Sequence, residues 1–185
     1  VRSRGLGDVY KRQVWTISPD GTAAIDFTYN FSGVVDLMGV MFDYPEDKVL
    51  SKRWVGDGPY RVWQNRLHGP QLGVWENEYN DPIPAESFTY PEFKGYFANV
   101  QWMTLETQEG MISICNRTPQ NYVGVYQPRD GRDGLLYTFP VTGISLMKVI
   151  PPVRNKVNTT DLIGPSSQAF WADGEYGGGI TLKFE

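Results

Sequence analysis

The chain has 185 residues, of which 41% are hydrophobic and 21% charged, and it carries a formal net charge of −4. That length and apolar share suffice for one domain with a real core, which excludes wholesale disorder. The acidic balance leaves no positive field for a polyphosphate backbone, which sets nucleic acid aside, and no apolar run approaches the roughly 20 residues of a membrane helix.

Residues 1–13, VRSRGLGDVYKRQ, lack sustained periodicity and carry an excess of positive charge. They are expected to form a poorly ordered tail and resemble a translated sequencing-adapter remnant, which leaves residues 14–185 as a single domain. A first strand displaced by such a remnant would leave an unpaired sheet edge or an exposed core face. VWTISP and AAIDFTYNFSG then flank Asp20-Gly21, a strong turn pair, and predict a β-hairpin. Leu37 to Phe42 forms the next apolar run, stopped by Pro45. SKRWVGDGPYRVW passes from a short strand into a turn where Gly56, Gly58 and Pro59 hold tight backbone geometry. LGVWENEYND is a brief strand candidate, and DPIPAESFTYPEFKGYF is a turn-rich, aromatic connection long enough to cover something. VQWMTLET alternates, and EGMISICN, YVGVYQP, LLYTFPV, ISLMKVIPP and GITLKFE supply the remaining strand candidates.

Three further motifs have plain readings. Cys115 is the single cysteine, so no intrachain disulfide and no cysteine metal cluster is possible, and within the alternating MISIC it reads as a small buried hydrophobe. PRDGRDG at 128–134 lacks EF-hand spacing and predicts a polar hairpin. GEYGGG at 174–179 lacks the lysine of a phosphate-binding loop and predicts a flexible turn before the final strand. With no comparable helical segment and no regular repeat, the pattern predicts an all-β fold: an antiparallel sandwich, with a barrel as the other way to bury one face of every strand.

The chemistry concentrates in WVGDGPYRVWQNRLHGPQLGVWE, residues 54–76. It sets Tyr60, Arg61, Trp63, Asn65, Arg66, His68 and Trp75 among constrained glycines. Aromatic faces suit the apolar C–H patches of sugars, and planar polar groups suit their hydroxyls, so this inventory fits a saccharide. The alternative is that both tryptophans fill the core while the arginines make surface pairs. Glu76, Glu78, Asp81, Glu86 and Glu92 offer carboxylates for the pair a retaining glycosidase needs, yet such groups are ordinary on any solvated surface.

Trp54, Gly56, Gly58, Pro59 and Arg66, followed by Gly69, Gly73, Val74 and Trp75, resemble a signature in the C-terminal β-sandwich of family 2 glycoside hydrolases, the β-galactosidase type. Tyr90, Pro91, Gly95, Val100 and Trp102 resemble a second segment of that family, in the same order, and the resemblance is clearest over 34–115. The sequence departs from it at Arg61, Asn65, Phe93, Lys94 and Phe97, which points away from β-galactosides towards the varied plant or algal glycans of divergent relatives.

The resemblance implies a galactose-mutarotase-like antiparallel supersandwich. It also implies that both catalytic glutamates sit on a neighbouring (β/α)8 barrel, so this chain is expected to hold no catalytic residue, cofactor or metal. The implied partners are that barrel, the other domains of a periplasmic or secreted parent polypeptide, and an oligosaccharide or polysaccharide. A late loop of the family lends an aromatic residue to the substrate cleft, and GPSSQAFWADG makes Trp171 the candidate. The expected glycan contacts are therefore Tyr60, Arg61, Trp63, Asn65, Arg66, His68, Glu92 and Trp171. Two other readings stand beside this one: an autonomous carbohydrate-binding module acting through Tyr60 and Trp63, and a structural domain whose aromatic patch docks on another domain without affinity for sugar.

Overall fold

The computed structural model describes residues 11–77, 95–125, 143–152 and 168–185. Ten strands run through them: β1 (Lys11–Ile17), β2 (Thr22–Val35), β3 (Met38–Phe42), β4 (Val49–Gly58), β5 (Gln71–Asn77), β6 (Trp102–Thr107), β7 (Gly110–Asn116), β8 (Tyr122–Gly124), β9 (Ile144–Val149) and β10 (Phe170–Phe184). The only helical turn among the described residues is a 3-10 turn at Glu46–Lys48. The strands form a seven-stranded sheet in the order β1-β2-β10-β7-β6-β4-β5 and a three-stranded sheet in the order β3-β9-β8. All of their pairings are antiparallel. The chain is thus an all-β sandwich, as its alternating patterns predict.

Register decides which side chains make the core, because directly paired residues share a face of the sheet. Trp54 faces Met103, Met103 faces Ile114, and Ile114 faces Leu182, which lays one apolar row across four strands. Val123, Ile144 and Leu146 of the smaller sheet belong to the same buried cluster. Each such apolar side chain taken fully out of water contributes about 1.5–3 kcal/mol, so this row makes a substantial contribution to stability. Lys52, on the same face opposite Leu105, is also buried, a position that periodicity alone would not assign to a lysine.

The hairpin at Asp20-Gly21 forms as expected. Gly21 takes a φ of 83°, and the Asp20 carboxylate accepts hydrogen bonds from the Thr22 amide and hydroxyl. Three details differ from the sequence reading. Among the described residues the first ladder already includes Lys11, paired with Tyr29, three residues before the boundary that composition suggests. The run 11–17 is exposed along its whole length, so it carries no burial pattern from which a strand is recognised, and Trp15 and Ile17 stay 52% and 75% exposed although Trp15 pairs with buried Ile25.

Cys115 is exposed rather than buried. Alternation in β7 sends Ile112 and Ile114 inward, and Cys115 lies on the outer face opposite Trp102. GEYGGG, finally, is continuous strand within β10, with Gly174 to Gly179 paired against Phe31 to Asp26. The glycines meet close neighbours: a Cβ on Gly178 would stand 2.7 Å from the Asn121 amide nitrogen and 2.8 Å from the Phe27 ring. Close approach, and not a turn, is what requires glycine there.

Tyr29 stands on the inner side of β2, with Phe27 stacked at 6.3 Å and Tyr176 at 6.0 Å. Burial, with a smaller contribution from Tyr176, pushes its phenol up to about 12 from an ordinary 10.0. A raised pKa means that the folded chain holds this proton more tightly than the unfolded one. The associated stability is complete below pH 10 and is lost as pH climbs towards 12. In an alkaline absorbance titration, the Tyr29→Phe variant should lose a late-ionising tyrosine, and its stability should fall less between pH 10 and 12 than that of the parent; an unchanged titration curve would contradict this.

Candidate functional site

The segment that resembles the family signature is a packing device before it is anything else. β4 ends at Gly58, whose bond to Pro59 is cis, and the chain then loops through 59–70 into β5. The Trp75 ring lies across Gly58, where an added Cβ would be 2.6 Å from the indole. The Trp75 Nε1 donates to the carbonyls of Gly56 and Gln71, each at 3.2 Å. Gly56 in turn lies against the backbone at 98–100, with an added Cβ only 2.9 Å from Val100 Cα. Trp54 is buried, donates to the Asp57 carbonyl at 3.1 Å and meets Phe97 edge-on at 4.8 Å.

Within the loop, Val62 and Tyr96 exchange backbone hydrogen bonds of 2.8 and 3.0 Å, and the chain doubles back so that Trp63 pairs with Arg66. Trp63 is only 1% exposed and packs with Val62, Ala98, Met147 and Ile150, edge-to-face with Tyr96 at 5.9 Å. This corrects the expectation that Trp63 contacts a glycan: its ring is core, and no sugar reaches it in this fold. Trp63 therefore follows the alternative reading of the aromatic inventory, as a core plug.

The other expected contacts divide by position. Tyr60 is 71% exposed, Arg66 and His68 are exposed, and Asn65 is half-buried, all on the same loop. Arg61 is half-buried with its guanidinium 5.4 Å from the Phe97 ring centroid, a cation–π distance that braces the loop on the core. Glu92, with Glu78, Asp81, Glu86, the PRDGRDG motif and the LLYTFPV strand candidate, lies outside the described residues. Glu76 is exposed on β5 opposite Arg53.

Trp171 sits near the start of β10, paired with Val34 of β2, and the two are 65% and 62% exposed. Its place is a regular strand rather than the turn-rich loop expected for GPSSQAFWADG, so the indole stands on paired backbone. Asp173, two residues on and on the same face, is opposite Ser32, and its amide is fixed by the Tyr176 hydroxyl at 2.9 Å. An exposed apolar pair is thus followed along one face by a carboxylate and a hydroxyl. Val34, Ser32 and Asp173 were not apparent from sequence, because the partner of Trp171 is set by a ladder spanning more than 130 residues of chain.

A hydrogen bond links the two regions. The Gln64 side chain donates to the Gln168 carbonyl at 3.1 Å, three residues before Trp171, while the Gln64 amide donates to the Pro151 carbonyl at 3.1 Å. A shallow cavity of about 330 Å³ lies elsewhere, on the outer face of the large sheet between Trp102, Cys115, Thr181 and Lys183, and none of the expected contacts lines it. Among the described residues, no group of three His, Cys, Asp or Glu side chains is placed to hold a metal ion, and no helix is long and apolar enough to cross a membrane. No family model matches the sequence, and neither does any curated protein.

Proposed function

We propose that this chain is an accessory sandwich, of the galactose-mutarotase-like type, in a family 2-like glycoside hydrolase. It stands beside a catalytic barrel of the parent polypeptide and forms one wall of the glycan cleft. The observation that carries this reading is Trp171: a large indole, 65% exposed, held on a hydrogen-bonded strand with Val34 beside it and Asp173 and Ser32 along the same face. Burying such a ring against the C–H face of a pyranose, with carboxylate and hydroxyl groups for its hydroxyls, is how proteins take hold of sugars. Tyr60, Asn65, Arg66 and His68 supply a second set of contacts on the loop joined to this region through Gln64. The bond-making carboxylates belong to the barrel, and this domain positions the substrate.

A single wall binds weakly, with a dissociation constant on the order of 1 mM. Calorimetric titration of the chain with plant and algal oligosaccharides should give saturable binding to one glycan class. Trp171→Ala should weaken it about 10-fold, a loss of about 1.4 kcal/mol, while shifting unfolding by no more than about 0.5 kcal/mol. Binding that survives Trp171→Ala and disappears in Tyr60→Ala would instead favour an autonomous module centred on the loop. A folded chain that binds no glycan in the panel would remove Trp171 as a contact and leave the docking reading.

A further inference from the structure

Outward side chains of the large sheet stand in cross-strand rows, because directly paired residues share a face. One outer row runs Val55, Trp102, Cys115, Thr181, and the next runs Arg53, Thr104, Ser113, Lys183. The first sets a bulky indole beside small side chains, and that step in size leaves the shallow cavity of about 330 Å³ on this face. Trp102 of β6 and Lys183 of β10 stand on its two sides, with Ser113 and Cys115 of β7 between them. Trp102 is 37% exposed, so most of its indole is seated on the sheet while part stays open to the cavity.

We propose that this cavity is a saccharide subsite that takes an uncharged sugar, its C–H face on Trp102 and its hydroxyls towards Thr104, Ser113 and Thr181. An aromatic face suits the apolar side of a sugar ring, and protein hydroxyls both donate and accept as a sugar hydroxyl requires. The Thr104 hydroxyl donates to the Arg53 carbonyl at 3.5 Å, so its oxygen is turned to accepting from a ligand. A wholly apolar occupant would cover these hydroxyls without pairing them, at about 1–3 kcal/mol for each. Lys183 is ion-paired with Glu185, so an anionic sugar would meet a carboxylate beside the cation, whereas an uncharged one meets a balanced pair. The volume is near the lower end of the range for small-molecule sites, about 300–1,000 Å³, which suits the end of a glycan rather than a long stretch of it.

The subsite is distinct from the Trp171 face and needs nothing from it. Trp171 and Thr181 lie on one face of β10 by alternation, and ten positions of extended chain separate them by about 33 Å.

The test uses the whole chain carrying Trp171→Ala, so that binding at the distant indole does not contribute. The probes are cellotetraose, laminaritetraose and mannotetraose, with oligogalacturonate as the charged counterpart. One of the uncharged sugars should move the Trp102 indole NMR signal saturably and, at saturation, slow the reaction of Cys115, the single thiol, with a chromogenic disulfide. Trp102→Ala should weaken binding about 10-fold, Trp102→Phe should restore part of that loss, and Ser113→Leu, which fills the cavity, should weaken it about 10-fold as well, all with unchanged circular dichroism. In the chain with Trp171 intact, glycan shifts at Trp102 alone would uphold this subsite and refute the wall reading, and shifts at Trp171 alone would do the reverse. A Trp102 signal and a Cys115 rate that no uncharged sugar changes, preferential binding of oligogalacturonate, or binding indifferent to Ser113→Leu would each overturn the proposal.

Discussion

Trp63→Ala is expected to lower the free energy of unfolding by about 3–5 kcal/mol, a large part of the stability of a domain this size. The indole is 1% exposed and fills a cluster formed by the loop, the 95–98 segment and β9 with the residues that follow it. Removing it leaves a void that the surroundings cannot close, because Val62 and Tyr96 are fixed by reciprocal backbone hydrogen bonds and Gln64 by the Pro151 carbonyl. The loss adds the transfer of the ring back to water to the empty volume left behind. Chemical denaturation followed by far-ultraviolet circular dichroism measures it directly. A loss below about 1 kcal/mol would be that of an exposed side chain and would return Trp63 to the list of surface contacts.

Gly58→Ala is expected to cost about 1–3 kcal/mol even though it adds one methyl group. The new Cβ would sit 2.6 Å from the Trp75 ring, too close for any carbon contact. The ring is the one that must move, and moving it breaks its hydrogen bonds to the Gly56 and Gln71 carbonyls. The pair Gly58→Ala with Trp75→Leu separates this clash from any general effect of alanine. With the ring gone, the alanine should cost much less, giving a coupling of at least about 0.5 kcal/mol in a double-mutant cycle. Additive losses would mean that the glycine serves some purpose other than clearing Trp75.

These two effects account for much of the signature at 54–76. Trp54, Gly56, Gly58 and Trp75 form one packed unit in which glycines make room for rings and for the 98–100 backbone. Gly95 extends the same principle: a Cβ there would stand 2.6 Å from the Val62 carbonyl and 2.8 Å from Trp63 Nε1. The sequence resemblance is therefore carried largely by residues that shape a loop, and only Arg66 among the matched positions of that segment is an exposed charge.

The strands were legible because alternation needs only neighbouring residues: Met103, Leu105, Ile112 and Ile114 point inward as their period of two requires. Partners were not legible, because pairing is decided by register across long separations. The glycines at 177–179 show this most plainly. Read along the chain they suggest a turn, but the crowding by Phe27, Asn121 and Arg117 that calls for them comes from β2 and the 117–121 turn. Trp63 and Trp171 teach the same point in opposite directions. Each has an apolar residue before it, Val62 or Phe170, and only three-dimensional packing buries the first tryptophan at 1% and leaves the second 65% exposed.

The most direct test of the glycan-wall reading is an amide and indole NMR titration of the chain with plant and algal oligosaccharides, with the six tryptophan Nε1–H signals assigned by single substitutions. The account predicts that one glycan class shifts the Trp171 signal saturably, together with the amides of Ser32, Val34 and Asp173, while the Trp54 and Trp63 signals stay in place. A Trp171 signal that no glycan moves, or glycan shifts confined to other tryptophans, would contradict it.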